Sequence, residues 1–420
     1  MRDRVLEAGA LAPLVRTLRD VGTAAAIGKT AAASGGAGSV SAALTASAVD
    51  VDAAAGDLPA DGAPNNAGSL PLAALRTCVW ALSNLVRGKP APPLASVSSA
   101  LPVLVELSRV DDEEVLTDVC WALSYLGERT EGVDAVIETG VCSRLAALLG
   151  TSSPTVQKSA LHAVGNIVAG SQIQAQAALD GGALPLLTQL LKSDEAEVQR
   201  LAAWAISNVT AGSSDQIQAV IDFGAVPPLM ALLRSPSRAV RKEAAFALVN
   251  VTTSPWPQHT LRLVEQGVVA PICELLSPSE PSDIVTVALE GLQNILKIGE
   301  TTTPNPDAMA AATGTQPDGG KVSKGAAAVT HNDMIRTVTA ADGKARMMAL
   351  RHHHRTGAIN NISTVLLKTY FDATGLETPT QADESGSTAA ATAAAAAAAT
   401  SLGAAPPPAL STGISTAVPG

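Results

Sequence analysis

Asp215 to Asn250 reads DQIQAVIDFGAVPPLMALLRSPSRAVRKEAAFALVN, and this stretch holds one whole unit of a pattern that recurs through much of the 420-residue chain. It opens on a short run, breaks at Phe223-Gly224 and resumes in the apolar VPPLMALL. It closes on a longer run with apolar residues at three- and four-residue spacing, the period of one helix face. Pro227 and Pro228 stand at the start of the second run, where a missing N–H costs a helix least. Thr139-Gly140, Gly181-Gly182 and Gln266-Gly267 mark the same break in neighbouring units. The predicted unit is helix, glycine turn, helix, short loop, long helix.

Each unit ends in a five-residue rung: WALSN at Trp80 to Asn84, WALSY at Trp121 to Tyr125, HAVGN at His162 to Asn166, WAISN at Trp204 to Asn208, FALVN at Phe246 to Asn250 and EGLQN at Glu290 to Asn294. The last residues of successive rungs are 41, 41, 42, 42 and 44 apart. That period belongs to helical solenoids of the armadillo and HEAT kind, and three helices per unit favour armadillo. Residues four apart share a helix face, so a rung sets a bulky side chain beside an amide or phenol, and stacked units turn the rungs into a ladder. The expected fold is an all-α armadillo-repeat superhelical solenoid of about six repeats.

Composition agrees. The chain is 47% hydrophobic but only 2% aromatic, which suits helix stacking in an array better than one globular core. A formal net charge of −10 repels nucleic acid and favours a cationic partner. Cys78, Cys120, Cys142 and Cys273 are widely spaced with no CxxC or Cys/His ligand pattern, so they read as reduced packing residues. Neither a signal peptide nor a membrane span is expected. GTAAAIGKT, Gly22 to Thr30, puts five residues between its glycines where a phosphate loop needs four. His352 to His354 read as a solvated helix end, and no nucleophile, base or metal set emerges. No catalysis, metal or cofactor is expected.

The pattern divides the chain into a partial repeat at 1–20, an Ala/Gly-rich disordered insertion at 21–71, a solenoid at 72–300, a linker at 301–330, a degenerate terminal repeat at 331–372 and a disordered Ala/Pro-rich tail at 373–420. An extended peptide exposes unpaired N–H and C=O groups that a row of Asn amides, each donor and acceptor, can meet. A strand advances roughly 6.6 Å per two residues, so neighbouring rungs can address alternate peptide positions. Indole faces offer slots for lysine stems. Glu114 and Asp118, seven and three residues before Trp121, supply negative charge. The blander readings are packing for the rings, an inter-repeat tie for each amide and a solvated face for the carboxylates.

WALSNLVRGKPAP, EVLTDVCWALSYL, VGNIVAG, AISNVTAGSSDQIQAVID, RKEAAFAL and VALEGLQNILKIGE, in that order and register, resemble the armadillo repeats of importin alpha, the nuclear-import adaptor. The resemblance is close over 72–300 and weaker over 2–20 and 331–372. It implies binding of Lys/Arg-rich nuclear localisation signals of cargo proteins in an acidic, Trp/Asn-lined concave groove, in both cytoplasm and nucleus. The larger of the family's two peptide sites maps to Trp80, Asn84, Arg87, Glu114, Asp118, Trp121 and Tyr125. The smaller maps to His162, Asn166, Trp204, Asn208, Glu243, Phe246 and Asn250. An alternative is an armadillo scaffold that holds some other extended peptide.

Departures from the family pattern shape the expectations. The Arg-rich segment that binds importin beta and the first three repeats have no counterpart here, as in an N-terminally truncated form, so no importin beta binding is expected. The terminal repeat has lost its acidic character and carries Arg336, Lys344, Arg346 and Arg351, which argues against binding the export receptor. Leu201, Gln172, Phe246 and His162 stand where the smaller site usually has Glu, Asp, Trp and Arg. With Leu201 at the position matching Asp118, the Trp204 turn is expected to lack a carboxylate, and the Trp80–Tyr125 end to hold lysine better.

Overall fold

The computed structural model describes residues 2–19, 72–301, 331–353 and 357–371. Its helices fall into three-helix units. The first comprises α1 (Arg2–Glu7), α2 (11–19) and α3 (Leu72–Val86), and the second α4 (Leu94–Val97), a 3₁₀ turn at Ser98–Ala100, α5 (Leu101–Leu107) and α6 (Glu113–Leu126). Next come α7 (Thr130–Glu138), α8 (Cys142–Leu149) and α9 (Pro154–Val168), then α10 (Gln172–Asp180), α11 (Ala183–Leu190) and α12 (Ala196–Thr210). The series continues with α13 (Ser214–Asp222), α14 (Val226–Leu232) and α15 (Arg238–Thr252), then α16 (Pro257–Glu265), α17 (Val269–Glu274) and α18 (Ser282–Thr301). It ends in α19 (His331–Ala340), α20 (Gly343–His353) and α21 (Gly357–Tyr370). Among the described residues this makes seven units where the rungs predict about six, because α19–α21 also form a three-helix unit, one without a rung. The segments 21–71, 302–330 and 373–420, the Gly22–Thr30 run and the side chains of His352 to His354 lie outside the described residues.

The third helices pack one on the next from α3 through α6, α9, α12, α15 and α18 to α21. Small residues make the close approach possible: Ala202, Ala203, Ala205, Ala244, Ala245 and Ala247 are all at most 1% exposed. Alanine costs no side-chain entropy in a helix, and a buried alanine row lets backbones approach without large side chains between them. Leu11, Val15 and Leu18 of α2 join the same continuous core as Val79 and Leu82 of α3.

Local chemistry ends each helix. Asp112, Ser153 and Ser237 cap α6, α9 and α15 by accepting from Val115, Val156 and Val240 N–H. Ser171 with Gln174 and Ser213 with Gln216 close reciprocal capping boxes on α10 and α13, each satisfying two otherwise orphaned donors. The same glutamines reach the preceding unit. Gln174 Nε2 donates to Asp134 Oδ1 at 2.6 Å and Gln216 Nε2 to the Gln172 carbonyl at 2.9 Å.

The turns between first and second helices place Gly9, Gly140, Gly182, Gly224 and Gly267 at φ between 72 and 87°, and Asp342 at 61° in the last unit. A Cβ at Gly224 would meet nothing within 4 Å, so substitution there tests backbone conformation alone. Gly224→Ala should destabilise by about 1–2 kcal/mol, the left-handed penalty of an L-residue. Urea denaturation followed by circular dichroism measures this, and an unchanged midpoint would show that the turn does not require glycine.

Candidate peptide-binding site

The rungs lie on the layer of third helices. On α3, Trp80 is 59% exposed, which is unusual for so large an apolar ring. Ser83, one turn on, donates to the Trp80 carbonyl at 2.9 Å and lies 3.4 Å from Asp118 Oδ1 on α6. Asp118 is half-buried, and burial raises its carboxyl above the usual range despite that hydrogen bond, with Glu114 adding repulsion. Among the described residues it has no ion pair. Glu114 does: Arg76, one turn before Trp80, pairs with Glu114 at 2.8 Å and with the cap residue Asp112 at 2.7 Å, holding the Asp112 carboxyl low. Of the two expected acids, then, Glu114 already has a cation and Asp118 does not.

The rings divide the face unevenly. Trp121 stacks on Tyr125 of its own helix at 5.7 Å and meets His162 of α9 at 4.7 Å between centroids. A lysine stem between two rings needs about 7–8 Å, two contacts of about 3.5–4.0 Å, so the Trp121–His162 gap is closed, and the expectation of a slot beside every indole is corrected here. Between Trp80 and Trp121 no ring contact fills the space among the described residues. Arg87 lies over the Tyr125 ring at 5.7 Å. His162 is 8% exposed, and burial, with Arg200 nearby, lowers its pKa to about 4, so it is neutral at physiological pH and adds no repulsive charge.

The amide ladder is partly an internal tie. Asn166 Nδ2 donates to the Ser124 carbonyl at 2.9 Å, Asn250 Nδ2 to the Ser207 carbonyl at 2.9 Å and Asn294 Nδ2 to Thr252 Oγ1 at 3.0 Å, each in the preceding unit. These bonds join units, as the tie reading expects; Asn166 also meets Ser124 Oγ at 3.1 Å, whereas Asn250 and Asn294 each use one of two N–H groups among the described residues. Asn84 donates only within its helix, to Trp80 O at 2.8 Å. Asn208 Nδ2 is buried with no hydrogen-bond partner.

At the other end, Trp204 of α12 packs against Gly165 of α9, where a Cβ would clash with three carbons of the ring. That contact explains why the third rung reads HAVGN. Leu201 is 1% exposed and faces the core. The expectation that this turn lacks a carboxylate is corrected: Glu197 lies on it, bound in two-point fashion by Arg200 Nε and Nη2 at 2.9 and 2.7 Å. Position seven before the ring was the signal, as it is for Glu114 before Trp121. Glu243 of α15 is half-buried, and its carboxyl is raised by burial although Arg200 and Lys242 pull it down. Lys242 Nζ sits 5.7 Å from the Phe246 ring centroid and pairs with Asp283 at 3.3 Å.

Sequence reasoning missed Arg76, Arg200 and Lys242. All three stand four residues before a rung's ring, a spacing legible in the sequence, but which carboxylate each would choose depends on the packing of neighbouring helices. The cysteines carry no reactive signal: Cys120 and Cys273 are buried with thiols pushed up to about 12, and none is in a disulfide. Among the described residues no group of His, Cys, Asp and Glu could hold a metal ion, and no helix is long and apolar enough to cross a membrane.

Gly165→Ala should displace the Trp204 ring and cost about 1–3 kcal/mol, the usual penalty for overpacking. After subtraction of the emission of the matching Trp204→Phe protein, the Trp204 emission should shift to the red. An unshifted spectrum would show that Gly165 does not seat this ring.

The Armadillo/beta-catenin-like repeat family matches residues 89–127, 129–169, 213–253 and 257–297, and a HEAT-like repeat matches 154–209. Importin subunit alpha-B of Dictyostelium discoideum is 50% identical over 308 residues, 73% of this chain and 55% of that protein. Importin subunit alpha-4 of Arabidopsis thaliana is 48% identical over 231 residues, 54% of this chain and 43% of that protein. The chain spans about half of the length of these two relatives. A designed armadillo repeat protein in complex with peptide (KR)4 superposes with a TM-score of 0.53 at 26% identity, covering 64% of this chain and 99% of that one. Repeat pattern, helical architecture and close relatives agree: this chain is an armadillo-repeat protein homologous to the importin alpha subunits.

Proposed function

We propose that this chain is a nuclear-import adaptor that holds Lys/Arg-rich extended peptides on its third-helix face, chiefly in the notch between Trp80 and Trp121, and that it works in cytoplasm and nucleus. The observation that carries this is Asp118, a half-buried carboxylate without an ion pair among the described residues, 3.4 Å from Ser83 across the joint between α6 and the helix of the exposed Trp80. A carboxylate in partial burial is poorly solvated, and a peptide ammonium restores what it has lost. Cation–π attraction to an indole adds about 0.5–2 kcal/mol. The importin alpha relatives and the designed repeat protein with its (KR)4 peptide support a basic peptide as the occupant.

The remaining assigned residues have graded roles. Asn84, whose amide donates within its own helix, serves the peptide backbone. Tyr125 and Arg87 close one side of the notch. At the second end, His162, Asn166, Trp204, Asn208, Glu243, Phe246 and Asn250 offer rings and amide oxygens, but less free charge.

Asp118→Lys should weaken binding of a Lys-rich peptide by about 10- to 100-fold, the loss of one charge-assisted bond of about 1.5–3 kcal/mol. Glu243→Lys should cost less. Fluorescence anisotropy with a labelled peptide at two salt concentrations measures both, and a greater loss from Glu243→Lys would place the working site at the Trp204 end.

Asp118 also predicts a conflict between binding and stability. Burial raises its folded pKa above the unfolded value, so the fold prefers the protonated form and gains stability as pH falls through that raised pKa. Asp118→Asn should therefore raise the melting temperature at pH 7 while weakening the peptide. Wild-type affinity should decline on acidification at a higher pH than an ordinary aspartate, near 3.9, would give. Thermal melts and anisotropy across pH check the pair, and a destabilised Asp118→Asn protein would contradict the assignment.

A further inference from the structure

We propose that Arg200 is a built-in occupant of the Trp204 notch, and that it confines this chain to cargo read through a single basic cluster at the Trp80–Trp121 end. The inference rests on the peptide-binding reading above and specifies its substrate class. Arg200, Trp204 and Asn208 are spaced four apart on α12, so they form one line on one helix face. The Arg200 side chain is only 17% exposed and grips Glu197 through two nitrogens, the geometry that makes arginine–carboxylate pairs strong and directional.

Both carboxylates of this end and the Phe246 ring already have a cation of the chain itself beside them or acting on them. Glu197 is held by Arg200, and the Phe246 ring has Lys242 near its face. Glu243, the remaining carboxylate, feels both Arg200 and Lys242. A cargo lysine entering here must displace a part-buried two-point ion pair, which costs what it gains. At the Trp80 end the arginine in the equivalent position, Arg76, turns instead to Asp112 and Glu114, and Asp118 is left for the ligand. The two ends share an arginine four residues before the ring and differ in whether the remaining carboxylate feels cations of the chain, as Glu243 does and Asp118 does not.

Removing the guanidinium should therefore create a second cationic seat. The test uses the full chain and two labelled probes, a peptide with one Lys/Arg cluster and peptides with two such clusters joined by Gly/Ser linkers of graded length. Fluorescence anisotropy gives the ratio of their affinities. In the wild type the ratio should stay within about twofold at every linker length. In Arg200→Gln, affinity for the best two-cluster probe should rise about tenfold or more above the one-cluster probe, since a second tethered contact acts at high effective concentration. Arg200→Lys, which keeps a cation in the seat, should behave as wild type, whereas a merely structural role for Arg200 would make both variants alike. Circular dichroism melts report whether each variant is folded.

A wild type that already prefers two clusters tenfold, or a folded Arg200→Gln with an unchanged ratio, overturns the proposal. Failure of the underlying reading looks different: the one-cluster probe would not bind the wild type, or Asp118→Lys would leave its affinity unchanged. Even then, binding gained only in Arg200→Gln would support Arg200 as the occupant, and no gain would count against it.

Discussion

Each three-helix unit carries apolar surface on two opposite sides, and only the next unit covers it. This nearest-neighbour burial is the constraint on which the rest of the molecule depends. It explains the alanine-rich third helices, where close backbone approach replaces bulky side chains, and the long row of fully buried Leu, Val and Ile from Leu18 to Leu367. It also explains why polar groups recur at the joints. Amides at Asn166, Asn250 and Asn294 bridge third helices, while Gln174 and Gln216 bridge first helices. Every such bond satisfies a group that stacking would otherwise strand without water, which costs more than the bond itself contributes.

A ladder built this way has a consequence for recognition. Side chains used to join units are held in place, and the N–H each one uses is no longer free for a ligand. Rigid placement favours binding an extended chain, because little side-chain entropy is lost on contact. Asn250 shows the division of labour: its nitrogen is anchored to Ser207, while its oxygen accepts no hydrogen bond among the described residues.

Electrostatics then decides which rungs can attract a cation. The chain carries Arg or Lys four residues before several rings, and each basic residue finds a carboxylate of its own. The pairing differs between the ends because Arg76 reaches across to the next unit, whereas Arg200 folds back on its own helix. A formal charge of −10 sets a favourable long-range field for basic peptides. It does not say where they bind, because a carboxylate already paired and one left unpaired contribute equally to that sum.

The sequence by itself determined the repeat. Period, glycine turns, proline placement and rung spacing are local signals, each requiring only that side chains three or four apart share a face, and they sufficed for the helix order and the line of ring and amide positions. Asp118 was legible too, from its place one turn before Trp121. Tertiary structure alone decided which of these residues remain available. That Trp121 is closed against His162, that Trp204 sits on Gly165 and that Asn amides donate between units all depend on distances across helices about forty residues apart in the chain. No periodicity encodes such distances. They follow from how far a guanidinium or a ring extends once alanine has set the spacing of the backbones.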